Sequence, residues 1–212
     1  MNSKSISVLM FSAILFLLAF VSCKESSTEN SGLFQTTRVY RTQNHLVSPA
    51  ELAIVQMLFQ KNKLSLSNLQ VYRLVVHKGT YIVRCYQFYN GLELFTEDVV
   101  FSFDQQNIVY SIMNDLITRM DVHWEPMVSE KDAGDLFYKE ILKDYNSRNI
   151  LNSGDKLVFY AQLGYYDLNV DTSNNFILAW KLNVASSPKY PVAYIRADTL
   201  RLINYSNGII FG

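Results

Sequence analysis

The chain has 212 residues, with 19 basic and 19 acidic side chains, 49% hydrophobic residues, and 13 Phe, 14 Tyr and 2 Trp. A chain of this length forms one domain or two small ones and can bury about 70% of its unfolded surface. The high apolar content excludes a mainly disordered chain. The net charge of zero provides no long-range field for a phosphate backbone, so we expect no nucleic acid partner.

The first 22 residues form a leader. Lys4 precedes an uncharged run over residues 6–21 that is short for a membrane-spanning helix. The run ends in Phe20-Val21-Ser22-Cys23, which resembles the lipobox of bacterial lipoproteins, although Phe20 replaces the usual Leu. The resemblance implies cleavage between Ser22 and Cys23 and acylation of Cys23. A plain secretory signal and an uncleaved anchor helix are the alternatives.

Residues 23–47 are predicted to be a lipidated tether, because residues 26–32 are polar and lack apolar periodicity. Acyl chains such as palmitate hold a protein at a membrane, since each buried methylene contributes about 0.8 kcal/mol. Lys24-Glu25 resembles the export signal of surface lipoproteins in the Bacteroidetes group. We therefore expect an outer membrane lipoprotein that faces the periplasm or the cell surface.

The cysteine count fits this interpretation. Cys23 and Cys85 are the two cysteines, so acylation of Cys23 leaves one thiol and no intramolecular disulfide. The stability of the folded part must then come from its core.

Two segments begin with helix-capping residues. Ser48-Pro49-Ala50-Glu51 is a capping box with Pro at the first helical position, which predicts a helix over residues 49–61. Ser129, followed by Asp132 three residues later, predicts a second helix that ends near residue 145.

Elsewhere the apolar period is 2, which predicts strands. The predicted strands are residues 71–77, 81–89, 92–95, 99–104, 108–113, 157–165, 176–184 and 192–203. Lys78-Gly79-Thr80 and Asn90-Gly91 are turn sequences that predict antiparallel hairpins.

The order helix, then strands occurs twice, with the N-cap serines 81 positions apart (129 − 48). This repetition predicts an α+β fold of two units, each a helix packed on an antiparallel sheet. We place the units at residues 48–120 and 127–212.

Short motifs in both units resemble known propeptide domains. Residues 86–95 and the strand 99–103 resemble the propeptide motif of the fungalysin and thermolysin metalloproteases. The helix start at Ser129, the strand 178–184 and residues 194–199 resemble a PepSY domain. In metalloprotease precursors such units form an inhibitory, folding-assisting prodomain. The resemblance covers residues 65–205 and implies a cystatin-like or PepSY-like fold.

Two positions depart from the PepSY pattern. Arg196 replaces the usual Asp and Leu200 the usual Gly, so we expect a different turn there. The H-E-x-x-H motif does not occur, and we expect no peptidase domain after Gly212. The resemblance therefore implies a role in trans, on a protease that is a separate protein.

The catalytic and metal-binding patterns that we tested are absent from the sequence. His77 and Cys85 lie on adjacent predicted strands, but their register separates them by about 13 Å, too far for a nucleophile and its base. The acidic residues near the hairpins do not have the spacing of a calcium loop. These residues are Glu93, Glu97, Asp98, Asp167 and Asp171. Phosphate-binding glycine motifs and the G-x-S-x-G elbow do not occur. We expect no enzyme activity, no metal and no cofactor.

The aromatic residues allow two interpretations. They cluster on predicted hairpins, where exposed rings could stack on a sugar or a partner peptide, or where they could fill a core. The partner-binding residues that we single out are Tyr86, Tyr89, Asn90 and Gly91.

The function that these patterns favour is a non-catalytic, membrane-anchored lipoprotein that acts as a protein-binding module. Its expected partner is a protease, which it inhibits or chaperones in trans, or another envelope protein. It would meet this partner through a sheet edge or a loop. The alternative is a surface lipoprotein that binds glycans or small molecules through its tyrosines.

Overall fold

A computed structural model describes residues 28–30, 34–42, 44–95, 98–114, 116–145, 147, 157–168 and 175–208. The helices are α1 (Pro49–Lys61) and α2 (Glu130–Lys143). The strands are β1 (Thr28–Asn30), β2 (Phe34–Arg38), β3 (Leu69–His77), β4 (Thr80–Tyr89), β5 (Leu92–Leu94), β6 (Val99–Phe103), β7 (Val109–Met113), β8 (Leu157–Asp167), β9 (Phe176–Val184), β10 (Ser187–Arg196) and β11 (Leu202–Ser206).

Both helices begin where their capping residues predict. The Ser48 hydroxyl accepts a hydrogen bond from the Glu51 backbone N–H, and the Ser48 N–H donates to the Glu51 carboxylate at 2.8 Å. At α2 the Ser129 hydroxyl accepts from the Asp132 N–H at 3.1 Å. The predicted bounds of α1 are confirmed, and α2 ends two residues earlier than predicted, at Lys143.

The first part of the sheet is built from chain neighbours. Strands β3, β4, β6 and β7 pair antiparallel in that order. With α1 they form what we call the α1 half, whose core is an apolar cluster that contains Leu58, Phe59, Val83 and Phe101. Lys78 and Gly79 both have positive φ, which is the two-residue hairpin turn that matches strand twist, so His77 pairs with Thr80.

The second part draws strands from distant segments. Strand β8 pairs antiparallel with β9, and its other edge pairs parallel with both β2 and β5. Strands β10 and β11 follow β9. We call α2 with β8–β11 the α2 half; its core includes Phe137, Phe159 and Trp180, together with Phe34 from β2 and Leu94 from β5. Neither β1 nor β2 was predicted from the sequence, and both lie within the segment assigned to the tether.

The predicted α+β fold of two helix-on-sheet units is wrong. Among the described residues the structure is mostly β, with 46% strand and 18% helix, and α1 and α2 lie against one curled sheet that forms a half-barrel. Strand β4 joins the two parts, because its first residues pair with β6 and its last two pair with β5, which in turn pairs with β8. A period of 2 reports which face of a strand is buried but not which strand lies beside it. The strands were therefore assigned to separate sheets.

The last predicted strand is also wrong. Residues 192–203 belong to two strands, β10 and β11, that are joined by a turn at residues 197–199. Leu200 has a φ of 51°, in the region that favours glycine. The Arg196 guanidinium donates to the Asp198 carboxylate at 2.8 Å and holds the turn. A side-chain ion pair thus accompanies the strained backbone.

The connection between the halves is packed onto the α2 core. The Gln87 side-chain amide donates to the carbonyl of Ile117 at 2.7 Å, and the Trp180 indole N–H donates to the carbonyl of Val128 at 2.8 Å. The Met127 and Val128 N–H groups both donate to the Ala197 carbonyl. Across the described part of the chain, no helix combines the length and apolarity needed to cross a membrane.

Candidate binding sites

A small cavity lies where the two halves meet. The pairing of β2 with β8 ends at Arg38 opposite Ala161, and the pairing of β5 begins at Glu93 opposite Gly164. Between these points a cavity of about 60 Å³ lies beside Gln162. The break between two parallel partners on one edge of β8 therefore creates the cavity.

A buried carboxylate lines this cavity. Leu92 and Leu94 pack on the core and leave Glu93 on the opposite face of β5. There Glu93 is 3% exposed, because Arg41 and Gln162 cover its carboxylate. Its two oxygens accept from Arg41 Nη1 at 2.9 and 2.8 Å, and Oε2 also accepts from Gln162 Nε2 at 2.8 Å. Burial lowers the pKa of the Arg41 guanidinium, but the Glu93 charge opposes it and the net pKa is raised. Arg41 and Glu93 thus form a charged pair across the junction.

The pair continues into two stacked tyrosines. The Arg41 guanidinium lies 4.0 Å from the ring centroid of Tyr86, whose ring stacks on Tyr72 at 4.3 Å between centroids. The Tyr72 hydroxyl donates to the Asp98 carboxylate. Because a cation and a ring cannot occupy the same face, both faces of Tyr86 are covered, which disfavours stacking of a sugar there.

A second cation lies on the same face of the α2 half. Lys181 pairs with Gln162 across β8 and β9, and its ammonium lies 5.4 Å from the Phe95 ring centroid and 5.9 Å from that of Tyr194. Burial lowers the pKa of Lys181, and the Glu93 charge opposes this shift. No described residue forms a hydrogen bond or an ion pair with its ammonium. Its positive charge therefore interacts with the faces of the two aromatic rings and, at longer range, with the Glu93 and Asp98 carboxylates.

A third cation borders the cavity from β2. Arg38 Nη2 donates to the Glu130 carboxylate at 2.5 Å, and the Arg38 guanidinium lies 5.0 Å from the Trp180 ring centroid. Arg38 Nε is buried and has no hydrogen-bond partner among the described residues. This donor is shielded from solvent, since the guanidinium lies against Trp180 and Glu130.

The second candidate site is the outer edge of β7. This strand is the end of the strand order and pairs with β6. Its sequence has no charged residue, and Tyr110, Ile112 and Met113 are 65%, 43% and 58% exposed. At the opposite edge of the α1 half, β3 is covered at Val71, because Leu46 N–H donates to Val71 O and Val71 N–H donates to His45 Nδ1. Strand β7 thus presents an apolar edge.

The structure separates the partner-binding residues singled out from the sequence. Tyr86 lies in the stack beside Arg41, whereas Tyr89 packs on the α2 core and donates its hydroxyl to the Met120 carbonyl. Asn90 and Gly91 form the hairpin turn with positive φ, and Gly91 also lines the cavity. Ser22 and Cys23, the predicted cleavage and lipidation positions, lie outside the described residues.

The other candidates for chemistry lie apart. Cys85 is fully buried opposite Val71, where a bulge between Val71 and Arg73 shifts the register of β3 by one residue. Burial, with a smaller contribution from Asp98, raises the pKa of its thiol to about 12, so it carries a proton at neutral pH. Within the described residues, no three His, Cys, Asp or Glu side chains are grouped as metal ligands. Glu97 and Asp171 lie outside those residues.

Sequence reasoning missed three residues of the junction, Arg41, Gln162 and Lys181. The alternation in β8 and β9 places Gln162 and Lys181 on the face away from the apolar core, and this signal was available. No sequence pattern indicated Arg41, because it lies in a segment without apolar periodicity.

No family model and no curated protein match the chain. Among solved structures, the chain is similar to the C-terminal domain of YpeB from Bacillus megaterium. The two share 12% sequence identity over 82% of this chain and 70% of that chain, with a TM-score of 0.38. This is a weak structural neighbour, and a TM-score this low does not establish a shared fold.

Proposed function

We propose that the protein is a non-catalytic binding module that takes up an extended segment of a partner protein along β7. The observation that carries this proposal is an uncharged edge strand on which Tyr110, Ile112 and Met113 are exposed. Natural edge strands are blunted by charges, prolines or a covering segment. Strand β7 has no charge or proline in its five residues, whereas β3 contains Arg73 and its edge is covered at Val71.

Strand addition explains what the exposed groups would do. Main-chain groups on the outer edge of β7 supply hydrogen bonds to an added strand, and the side chains beside them select its residues. Tyr110 and Ile112 are apolar contacts in an uncharged strand, so the complementary segment is itself extended, apolar and low in charge. The partner we favour is a protease of the cell envelope, held in check or assisted in folding by this contact.

The location of the module follows from the leader. We propose that Cys23 carries the lipid and that the protein lies at the outer membrane. Labelling cells with a fatty-acid analogue tests this part. The label should be lost in Cys23→Ala, and a label that survives this substitution would disprove lipidation at Cys23.

The edge itself is tested in two steps with the full-length protein. A photo-crosslinking residue at position 110 should capture a partner in cells, whereas the same residue at Val76, which is 56% exposed on β3, should not. Hydrogen exchange with the purified partner should then slow at the amides of β7.

A matched variant sharpens the result. Ser111→Pro removes a backbone donor from β7 and should abolish both the cross-link and the protection, because proline cannot donate to a strand ladder. Equal cross-linking from positions 110 and 76, or partner binding that leaves β7 exchange unchanged, would reject the edge as the binding site.

A further inference from the structure

The end of the α1 half at which β7 begins is basic. We propose that the partner segment that pairs with β7 carries acidic residues where it passes this end, directly beside its apolar part. This inference rests on the proposed function, because it describes the chemistry of the same partner at the start of the same strand.

Three turns form this end of the molecule, and hydrogen bonds join them. The Lys61 ammonium, in the last turn of α1, donates to the carbonyl of Gln106 in the turn before β7 at 2.5 Å. The Gln105 side-chain amide donates to the carbonyl of Lys78, in the turn between β3 and β4, at 3.1 Å. We call residues 61–63, 77–80 and 104–108 the basic tip.

The basic tip has more positive than negative charge. Lys61, Lys63 and Lys78 are exposed, and no carboxylate of the described residues forms an ion pair with them. Asp104 is the one acidic residue of the tip, and its carboxylate accepts from two backbone N–H groups of its own turn at 2.9 and 2.8 Å. With His77 neutral, the tip therefore has two positive charges in excess (3 − 1).

The dipole of α1 accounts for only part of this charge. The C-terminus of a helix carries a partial negative charge of about half an elementary charge. Lys61 lies in the last turn of α1 and is enough to offset it. The charges of Lys63 and Lys78 remain for a partner.

Asn62 connects the basic tip to the β7 edge. Its side-chain oxygen accepts from the Val109 N–H at 2.8 Å, and its amide donates to the carbonyl of Asn107 at 2.8 Å. The first N–H of β7 is thus occupied, so an added segment pairs with the residues after Val109 and leaves the edge beside Asn62. There it passes the C-terminus of α1, where Lys61 and Lys63 flank Asn62.

A protein segment matches this end better than a phosphate polymer does. Ile108, which directly precedes β7, is 45% exposed and adds an apolar contact to the charged ones. A peptide supplies apolar side chains and carboxylates from one chain, whereas a phosphate polymer supplies charge alone. Charge complementarity therefore selects an apolar strand with an acidic flank.

Designed peptides test this inference on the full-length protein in mild detergent. Each peptide contains the same alternating valines and threonines, with a flank of either glutamates or glutamines. The flank is placed at the N-terminus in one pair and at the C-terminus in the other, so that both strand directions are covered. We expect both flanks to slow hydrogen exchange at the amides of β7. In at least one pair, the glutamate peptide should bind about threefold to tenfold more tightly than its glutamine partner by fluorescence anisotropy.

The outcomes separate this inference from the proposed function. If no peptide slows exchange at β7, strand addition is contradicted and this inference falls with it. If the glutamate and glutamine peptides slow exchange and bind equally in both pairs, strand addition stands and the acidic flank alone is refuted.

Matched double variants assign the gain in affinity to the basic tip. Lys61→Gln with Lys63→Gln should remove most of the gain of the glutamate peptide, while Lys143→Gln with Lys189→Gln removes the same charge from exposed lysines of the α2 half and should keep it. Unchanged binding of the glutamine peptide shows that each variant is folded. A gain that survives in the first variant, or disappears in the second, would overturn the assignment.

Polyphosphate distinguishes a protein segment from polyanions in general. Added as a competitor at equal charge concentration, it offers no strand and should leave the glutamate peptide bound. Complete displacement would show a general polyanion site and would overturn the inference of an acidic protein segment.

Discussion

The two halves of the molecule are completed in different ways. In the α1 half, each strand pairs with a strand close to it in the chain, and α1 directly precedes them. In the α2 half, the central strand β8 takes its parallel partners from β2, more than one hundred residues earlier, and from β5 in the middle of the chain. The α2 core is therefore finished by side chains that lie outside its own stretch of sequence.

This difference places the two candidate sites at different kinds of boundary. The exposed β7 edge is where the α1 half ends, and it is the edge at which we propose that a strand is added. The cavity lies where β2 and β5, which come from other parts of the chain, pair with β8. Arg38 from β2 and Glu93 from β5 therefore line it. The edge results from pairing between strands that are close in the chain, whereas the cavity results from pairing between strands that are far apart in it.

The largest expected effect comes from separating the halves. A fragment of residues 127–208 lacks Phe34 and Leu94 and leaves an edge of β8 without its partners. We expect no cooperative thermal transition in this fragment by circular dichroism, because its core is incomplete. A fragment of residues 44–114 contains its whole apolar cluster and should unfold cooperatively. Cooperative unfolding of 127–208 near the midpoint of the full chain would contradict the comparison.

The next largest effect is expected at the junction. A Cβ atom on Gly164 would lie 2.5 Å from the backbone oxygen of Glu93 and in direct conflict with the Phe95 ring. We expect Gly164→Ala to lower the free energy of unfolding by about 2–3 kcal/mol, measured by urea denaturation. Gly91→Ala is the control, since a Cβ there meets no atom within 4 Å. Its expected loss of unfolding free energy, about 1 kcal/mol, comes only from the strain of a positive φ in alanine. A smaller loss for Gly164→Ala than for Gly91→Ala would mean that the junction is loosely packed.

Removing the helix caps tests whether the halves unfold together. Ser48→Ala and Ser129→Ala should each cost about 1 kcal/mol, and Ser→Asp at either site should retain most of the stability. Fluorescence of the buried Trp180 reports on the α2 half. If the continuous sheet couples the halves, Ser48→Ala shifts this transition as well. A shift seen only with Ser129→Ala would show that the halves unfold separately.

The smallest effect is expected in the turn between β10 and β11. The hydrogen bonds from Arg196 lower the pKa of Asp198 to about 2. A depressed pKa stabilises the fold above the ordinary carboxyl pKa, and the contribution disappears as the pH falls from about 4 towards 2. Since the Asp198 side chain is 39% exposed, the effect on the free energy of unfolding should be below about 1 kcal/mol. An NMR titration should give a midpoint near 2 and a higher one in Arg196→Gln; equal midpoints would refute the cause.

Much of the candidate chemistry was visible in the sequence only as isolated residues. The sequence identified Glu93 only as a hairpin acid without calcium-loop spacing, whereas the structure buries it between Arg41 and Gln162. Tyr86 and Tyr89 were grouped because they are near each other in the chain, yet alternation along β4 puts them on opposite faces. The β7 edge was predicted as a strand, but its place at the end of the sheet was not.

The sequence alone determined the features that depend on neighbouring residues. The capping box at Ser48, the serine cap at Ser129, the positions of most strands and the glycine turns follow from hydrogen bonds and dihedral preferences within a few residues. Only the tertiary structure decided that β2 and β5 pair parallel with β8 and that the halves share one sheet. A strand's alternation records its buried face, but its partner is chosen by packing between segments far apart in the chain.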